Sequence, residues 1–314
     1  MRFRTEIPVV KNDATIGYDH PVFLIGSCFS NNIGGKLKYF KFKTRVNPYG
    51  VIFNPLAIEQ AISDIVTKKE YLKTDLYRYN DSWLSFNHHT SFSAASDKTV
   101  LENINKAISI AHDTLKNASH IFITLGTAWV YRFFATGKIV ANCHKIPQRE
   151  FTKELLNADE INISLNNIIG LLKKINKNIH IILTVSPVRH LRDGFIENQL
   201  SKALLISAVQ QAVKTNDCIY FPSYEIMMDD LRDYRFYDED MVHPNELAIT
   251  YIWEKFKEAF LSESTMQILE AINAIQKRMA HIPFDSKSVS YKKFMEVTQT
   301  QISALTKKYP DIIF

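Results

Sequence analysis

A serine in a short turn near the N-terminus is the first residue whose type and setting suit catalysis. Ser27 follows Gly26 at the end of an apolar run, and the residues after it have a helical pattern. A hydroxyl at a strand-to-helix turn stands clear of the backbone, and the N–H groups of such a turn can stabilise an oxyanion. Serine is also a common helix N-cap, so this turn alone leaves both roles open. The neighbouring Cys28 is expected to point into the core.

An acid and a histidine near residue 240 could complete that chemistry. Asp240 precedes His243 by three residues, and Pro244 ends the turn. A carboxylate at this spacing can hold one imidazole nitrogen and leave the other free to take a proton from a serine. A capping aspartate beside a surface histidine is the alternative reading, and Asp238 and Glu239 are rival acids.

Two glycine turns lie between the serine and the acid–histidine pair. Gly50 ends the segment Asn-Pro-Tyr-Gly, and Gly126-Thr127 follows an apolar run. Glycine lets the backbone approach a ligand closely. We therefore expect Ser27, Gly50 and Thr127 to supply the donors of an oxyanion hole. Ordinary turn formation explains the same residues equally well.

Four apolar runs must position these groups. Because they are apolar throughout and end in turn residues, they are typical of strands buried on both faces: 21–25, 120–125, 179–185 and 218–221. Helical patterns separate them, at 31–40, 55–67, 99–117, 161–176 and 199–214, and a further one covers 247–261. This alternation predicts an α/β fold with a parallel sheet. Functional groups gather at the carboxyl ends of such strands, where Ser27 and Thr127 both lie.

The chain divides into a main domain and a helical tail. Residues 70–97 are polar and aromatic without a clear period, which predicts a loop-rich insertion. From residue 263 the pattern is nearly all helical and contributes no strand. We predict one domain over 1–262, which includes the insertion, and a C-terminal helical extension over 263–314.

Composition excludes several classes of protein. The chain has 314 residues, a net charge of +5 and only nine glycines, none of which fits a dinucleotide fingerprint, a P-loop or a G-x-S-x-G elbow. Its scattered lysines argue against nucleic-acid binding, and its longest apolar run (121–131) is too short to cross a membrane. A charged N-terminus and three cysteines without C-x-x-C predict a cytoplasmic protein.

The remaining candidates are polar residues in loops. No two histidines have the i, i+4 spacing of a helical metal motif, so we predict no metal and no cofactor. His89, Asn142 and His144 are predicted substrate contacts, with structural hydrogen bonds as the alternative. Arg189 follows a strand and could bind an anionic group.

The segment Gly26-Ser27-Cys28-Phe29-Ser30 resembles the pentapeptide for which the GSCFA family is named, with serine in place of the final alanine. Other segments between about residue 20 and about 250 are similar to that family: 47–50, 89–93, 124–128, 142–145, 186–190, 221–225 and 240–245. The order of serine, glycine turns and Asp-x-x-His also resembles the SGNH (GDSL-like) hydrolase superfamily. The resemblance implies a three-layer α/β/α sandwich with a flavodoxin-like sheet.

The resemblance also implies an activity. Ser27 would attack an O-acyl ester, with acetyl as one candidate acyl group and a carbohydrate as one candidate carrier. His243 would act as base and then acid, and Asp240 would orient the imidazole. An O-acyltransferase to a sugar hydroxyl, or an inactive binding module of the same fold, are the alternatives. The expected partner is a small-molecule or glycan ester, with no nucleic acid and no membrane.

One departure from the superfamily concerns the oxyanion hole. Its Gly-x-Asn-Asp block would fall at 126–129, where this chain has no Asn. Thr127 is one substitute for the third donor, and Asn142 or His144 is another.

Overall fold

A parallel sheet of five strands lies at the centre of the fold. The computed structural model describes residues 5–314. The strands are β1 (Val22–Gly26), β2 (Thr44–Val46), β3 (Tyr77–Tyr79), β4 (Ser82–Leu84), β5 (His120–Leu125), β6 (Trp129–Phe133), β7 (Ile139–Val140), β8 (Phe151–Leu155), β9 (His180–Val185) and β10 (Cys218–Tyr220). The helices are α1 (Cys28–Tyr39), α2 (Pro55–Thr67), α3 (Asp97–Asn117), α4 (Ala158–Ile175), α5 (Phe195–Thr215), α6 (Ser223–Glu225), α7 (Glu246–Phe260), α8 (Glu263–Met279) and α9 (Val289–Lys308).

The order of the strands confirms the flavodoxin-like prediction. The central sheet runs β2-β1-β5-β9-β10, and every pairing in it is parallel. Numbered within the sheet, this is the order 2-1-3-4-5 of flavodoxin-like folds. The direction of winding reverses between β1 and β5, and ligands of such folds bind in the crevice at the carboxyl ends of the strands there. Ser27 follows β1 at this position.

Alternating side chains of the strands face two separate cores, which confirms the three-layer sandwich. Phe23 and Ile25 pack into a cluster with α2, α3, α4 and α5. Val22 and Leu24 pack into a second cluster with α1, α7 and α8. Both faces of β1 are therefore buried, which explains why its sequence is apolar without alternation.

Local signals place the second helix as predicted. The side chain of Asn54 accepts a hydrogen bond from the Ala57 N–H, and Pro55 occupies the first helical position. Proline is favoured there because its missing N–H would have no helical partner.

Two strands depart from the predicted pattern. The short, partly polar β2 adds an edge to the central sheet beside β1. After β5, the strands β6 and β7 form an antiparallel hairpin, and β8 extends it to three strands in the order β7-β6-β8. Within the insertion at 70–97, β3 and β4 form a small antiparallel hairpin.

The C-terminal helices pack on the α1/α7 side of the sheet. Leu269 and Ile272 of α8 belong to the same core cluster as the side chains of α1 and α7. Arg278 joins the two helices, because its Nε donates to the Thr298 hydroxyl of α9 at 2.9 Å. The boundary between 262 and 263 stays a prediction. Among residues 5–314, no helix is long and apolar enough to cross a membrane.

Candidate active site

The turn after β1 holds Ser27 in a fixed position. Gly26 has φ +135°, and a Cβ there would collide with the Thr124 carbonyl, so only glycine fits. Ser27 is fully buried and is the N-cap of α1, since its hydroxyl accepts from the Phe29 N–H at 3.3 Å. The capping role and the predicted nucleophilic role therefore fall on the same side chain.

Asn47 ties the turn after β2 to this serine. Its Oδ1 accepts from the Gly26 N–H at 2.9 Å, and its Nδ2 lies 2.8 Å from the Asn31 side chain and 3.5 Å from the Ser27 carbonyl. The side chain is almost fully buried. Because one amide bonds both β1 and the first turn of α1, Asn47 fixes the geometry on each side of Ser27.

The second glycine turn contacts the insertion. Gly50 has φ +73°, and a Cβ there would collide with His89. The backbone N–H of His89 donates to the Tyr49 carbonyl at 2.8 Å, and its Nδ1 accepts from the Ser91 N–H. His89 therefore packs against the Gly50 turn, where we predicted a substrate contact.

Asp240 and His243 form the pair that their spacing predicts. Oδ2 of Asp240 lies 2.6 Å from Nδ1 of His243, and Oδ1 accepts from the N–H groups of Val242 and His243. These bonds from His243 and Val242 lower the pKa of Asp240 to about 2, so the carboxyl is ionised at neutral pH. An ionised carboxylate only accepts hydrogen bonds, so Nδ1 carries the shared proton and Nε2 is left to act on a substrate or a serine.

The acid–histidine turn lies at the same edge of the sheet as Ser27. The N–H of Arg189, just after β9, donates to the Val242 carbonyl at 3.2 Å. The side chains of His243 and Asp240 are about half exposed (46% and 50%). No hydrogen bond joins the Ser27 hydroxyl to the His243 imidazole among the described residues, and catalytic hydrogen bonds are often loose without substrate.

The N–H groups predicted for the oxyanion hole all have acceptors inside the protein. They donate from Ser27 to the Thr124 carbonyl (3.0 Å), from Gly50 to the Asn47 carbonyl (2.8 Å) and from Thr127 to the Phe53 carbonyl (3.2 Å). The Thr127 hydroxyl is paired with that of Ser201 at 3.1 Å. In this structure these groups hold the turns together, and none is free for a substrate oxygen.

Lys202 is a residue of this edge that motif reasoning does not find. Its Nζ donates to the carbonyls of Gly126 (2.7 Å) and Ser186 (2.8 Å), the residues that follow β5 and β9. Burial lowers the pKa of this lysine to about 7. The sequence feature that could have identified Lys202 is its position on the buried face of α5, which it shares with Leu205 and Val209.

A neutral histidine lies beside the lysine. Burial, with the charges of Lys202 and His243, lowers the pKa of His190 to about 3. The ring contacts Phe53 edge-on at 5.3 Å, and its buried Nε2 has no hydrogen-bond partner among the described residues. His190 thus has one ring nitrogen, Nε2, without a hydrogen bond, and Lys202 and His243 both act electrostatically on this ring.

The Cys28 side chain, which was expected to point into the core, is partly buried. Lys202 and Asp240 both act electrostatically on its thiol. Burial is the largest effect and raises the pKa of the thiol, so it stays protonated and is a poor nucleophile.

Two predicted substrate contacts, Asn142 and His144, form hydrogen bonds that hold loops together. The ring nitrogens of His144 lie 2.8 Å from the Ser85 carbonyl and 3.5 Å from the Ser93 hydroxyl. Burial lowers the pKa of His144, and the side chain of Asn142 accepts from its backbone N–H at 2.8 Å. Both residues stabilise the loop after β7.

Arg189 lies against two aromatic rings. Its guanidinium is 4.3 Å from the centre of the Tyr237 ring and 5.4 Å from that of Tyr234. These contacts keep the cation at the carboxyl edge of the sheet, beside the 240–243 turn. Among residues 5–314, no group of three or more His, Cys, Asp or Glu side chains could hold a metal ion.

The fold is that of an α/β protein with a parallel sheet. At the carboxyl edge of this sheet, a serine turn and an acid–histidine turn lie at one crevice. Residues 21–256 match the model of the GSCFA family, and residues 272–314 match that of the GSCFA domain protein, C-terminal domain. The chain therefore belongs to the GSCFA family. The comparison with curated proteins found no match.

Two solved structures are distantly similar. One is a carbohydrate esterase family 3 from Talaromyces cellulolyticus, with 10% identity, a TM-score of 0.36 and coverage of 80% of this chain and 98% of that one. The other is an acetyl xylan esterase (Est2A) from the rumen bacterium Butyrivibrio proteoclasticus, with 10% identity, a TM-score of 0.37 and coverage of 84% and 65%.

Proposed function

We propose that this chain is a serine esterase with Ser27 as nucleophile, His243 as base and Asp240 as the group that orients the imidazole. The observation that carries this proposal is the 2.6 Å Asp240–His243 pair at the crevice where Ser27 is fixed. The GSCFA resemblance of the serine turn supports it independently.

The reaction follows from these three side chains. Nε2 of His243 takes the Ser27 hydroxyl proton as Oγ bonds to the ester carbonyl carbon, whose oxygen becomes an oxyanion. The imidazolium then returns the proton to the departing alcohol oxygen, and the C–O bond breaks to leave an acyl-enzyme. Water repeats the cycle, releases the acid and restores Ser27. The ionised Asp240 stabilises the imidazolium in each half.

The substrate class is an O-acyl ester of a small molecule or glycan. An acetyl group on a carbohydrate hydroxyl is the form that the family resemblance favours. Hydrolysis and transfer to a sugar hydroxyl use the same residues, and they differ only in whether water or an alcohol attacks the acyl-enzyme. Product analysis with and without an added sugar acceptor distinguishes the two.

Ser27→Ala tests the nucleophile, with Ser262→Ala as the matched control. Both serines cap a helix, since Ser262 accepts from the Thr265 N–H, so each variant loses about 1 kcal/mol of capping. With 4-nitrophenyl acetate, we expect Ser27→Ala to lower turnover by about 10³-fold or more, and Ser262→Ala to retain it.

The opposite result would remove the proposed nucleophile. Equal turnover by wild type and Ser27→Ala, with both proteins folded by circular dichroism, contradicts the proposal. No turnover of any acyl ester by the wild type would favour the binding-module reading.

A further inference from the structure

Lys202 is a buried cation whose two recorded hydrogen bonds both go to backbone carbonyls. The residue is 1% exposed, and within residues 5–314 its ammonium forms no salt bridge with a carboxylate. Taking an ammonium out of water is costly unless an anion compensates it. A neutral donor could satisfy the carbonyls of Gly126 and Ser186 at lower cost, so the charge itself needs an explanation.

The sheet register places this charge beside the nucleophile turn. Gly26 of β1 pairs with Thr124 of β5, so Gly126 follows β5 next to the point where Ser27 follows β1. The Lys202 bond to the Gly126 carbonyl therefore brings the ammonium to the strand end that neighbours Ser27.

The surroundings of Lys202 contain little negative charge. The groups that face it are the Cys28 thiol of α1, the His190 imidazole after β9 and the Tyr224 ring, whose centre lies 5.7 Å from Nζ. Asp240 reaches Cys28 electrostatically, but its carboxylate is committed to His243. This corner of the site is therefore electropositive and suited to a negative charge that forms during the reaction.

We propose that Lys202 is a positioning residue that fixes the ends of β5 and β9 and sets a positive charge beside Ser27 to stabilise the oxyanion of ester cleavage. This rests on the proposed function. The 126–129 segment lacks the Asn that donates to the oxyanion in the superfamily, and the positive charge of Lys202 stabilises the oxyanion in its place. The N–H groups predicted as oxyanion donors hold the turns together. No bond to Lys202 forms or breaks, and its proton stays on Nζ during turnover.

The experiment measures kcat and KM for 4-nitrophenyl acetate between pH 6 and pH 9. The variants are Lys202→Met, which removes the charge, and Lys202→Arg, which keeps it at every pH. Lys214→Met is the control, because Lys214 is exposed on the same helix. We expect Lys202→Met to lower kcat about 10- to 100-fold at pH 6 with KM within about twofold, and Lys214→Met to match the wild type.

The pH profile separates an electrostatic role from a purely structural one. Wild-type kcat should fall above about pH 7 as Lys202 loses its proton. That fall should be absent in Lys202→Met, and Lys202→Arg should keep its kcat to pH 9. A structural role alone would lower the melting temperature without removing this fall.

Each outcome decides the matter. An unchanged kcat in folded Lys202→Met, or a wild-type kcat that is constant from pH 6 to pH 9, overturns the proposal. The second result is read on the wild type, so it applies even if neither variant folds. Turnover that is lost with Ser27→Ala but kept with Lys202→Met refutes only the role of Lys202. Turnover that survives Ser27→Ala refutes the proposed function, and the role of Lys202 falls with it.

Discussion

Replacing Lys202 with methionine should change how the stability of the protein depends on pH. In the folded state the pKa of Lys202 is about 7, because of burial, against 10.5 for a free lysine. A cation whose pKa is lowered by folding destabilises the folded state while it is charged. Below pH 7 both states hold the proton, so the penalty is constant. Between pH 7 and pH 10.5 only the unfolded state holds it, so stability rises with pH.

The size of the effect follows from that difference in pKa. Each pH unit in this window adds up to about 1.4 kcal/mol to the free energy of unfolding. The lysine is half titrated at pH 7, so the gain between pH 7 and pH 9 is about 2 kcal/mol. Lys202→Met lacks this contribution. It also leaves two carbonyls without the ammonium, so its absolute stability depends on opposing effects and only the slope is diagnostic.

Urea unfolding at several pH values between 6 and 9 provides the measurement. The difference in unfolding free energy between wild type and Lys202→Met removes the contributions of the other titrating groups, and Lys214→Met controls for the loss of one lysine. We expect the difference to be flat near pH 6 and to grow in favour of the wild type above pH 7. If the unfolding free energies of wild type and Lys202→Met change in parallel from pH 6 to pH 9, the claim that burial destabilises the charged form of Lys202 is refuted.

Two further substitutions test the geometry of the site, and a third, Gly35→Ala, serves as a control. Asp240→Asn should lower kcat by about 10⁴-fold and change the unfolding free energy by less than about 1 kcal/mol, because the pair is half exposed; a wild-type kcat would contradict its orienting role. Gly26→Ala should destabilise the protein by about 2 kcal/mol or more, because its φ is +135° and the new Cβ meets Thr124. Gly35→Ala in α1 has open space around it and should stabilise by up to about 1 kcal/mol, and equal urea midpoints for the two alanine variants would show that the Gly26 turn is not constrained.

Local and periodic signals account for the parts of the fold that the sequence predicts. The apolar run 120–125 forms β5 at those residues, and Asn54-Pro55 starts α2 as a cap and first residue should. The strand β2 has only three residues and contains Thr44 and Arg45, so it becomes a strand through its pairing with β1 and not through its own pattern. Pairing of this kind depends on tertiary contacts that a single sequence does not display.

The candidate site, like the fold, has parts that the sequence predicts and parts that it does not. The Asp240–His243 contact lies within one turn, and the spacing of the two residues predicts it. Whether the N–H groups of Ser27 and Thr127 are free depends on carbonyls elsewhere in the chain, those of Thr124 and Phe53, which the motifs do not specify. Lys202 becomes visible only when α5 is placed against the sheet, because its acceptors follow two different strands.

Covalent labelling of Ser27 tests the central claim most directly. A fluorophosphonate reacts with a serine hydroxyl that a neighbouring base activates, and mass spectrometry locates the adduct. The account predicts one adduct, on the peptide that contains Ser27, and its loss in His243→Gln. An adduct on another residue, or undiminished labelling of Ser27 in His243→Gln, would contradict the proposal that His243 activates Ser27 for attack on an ester.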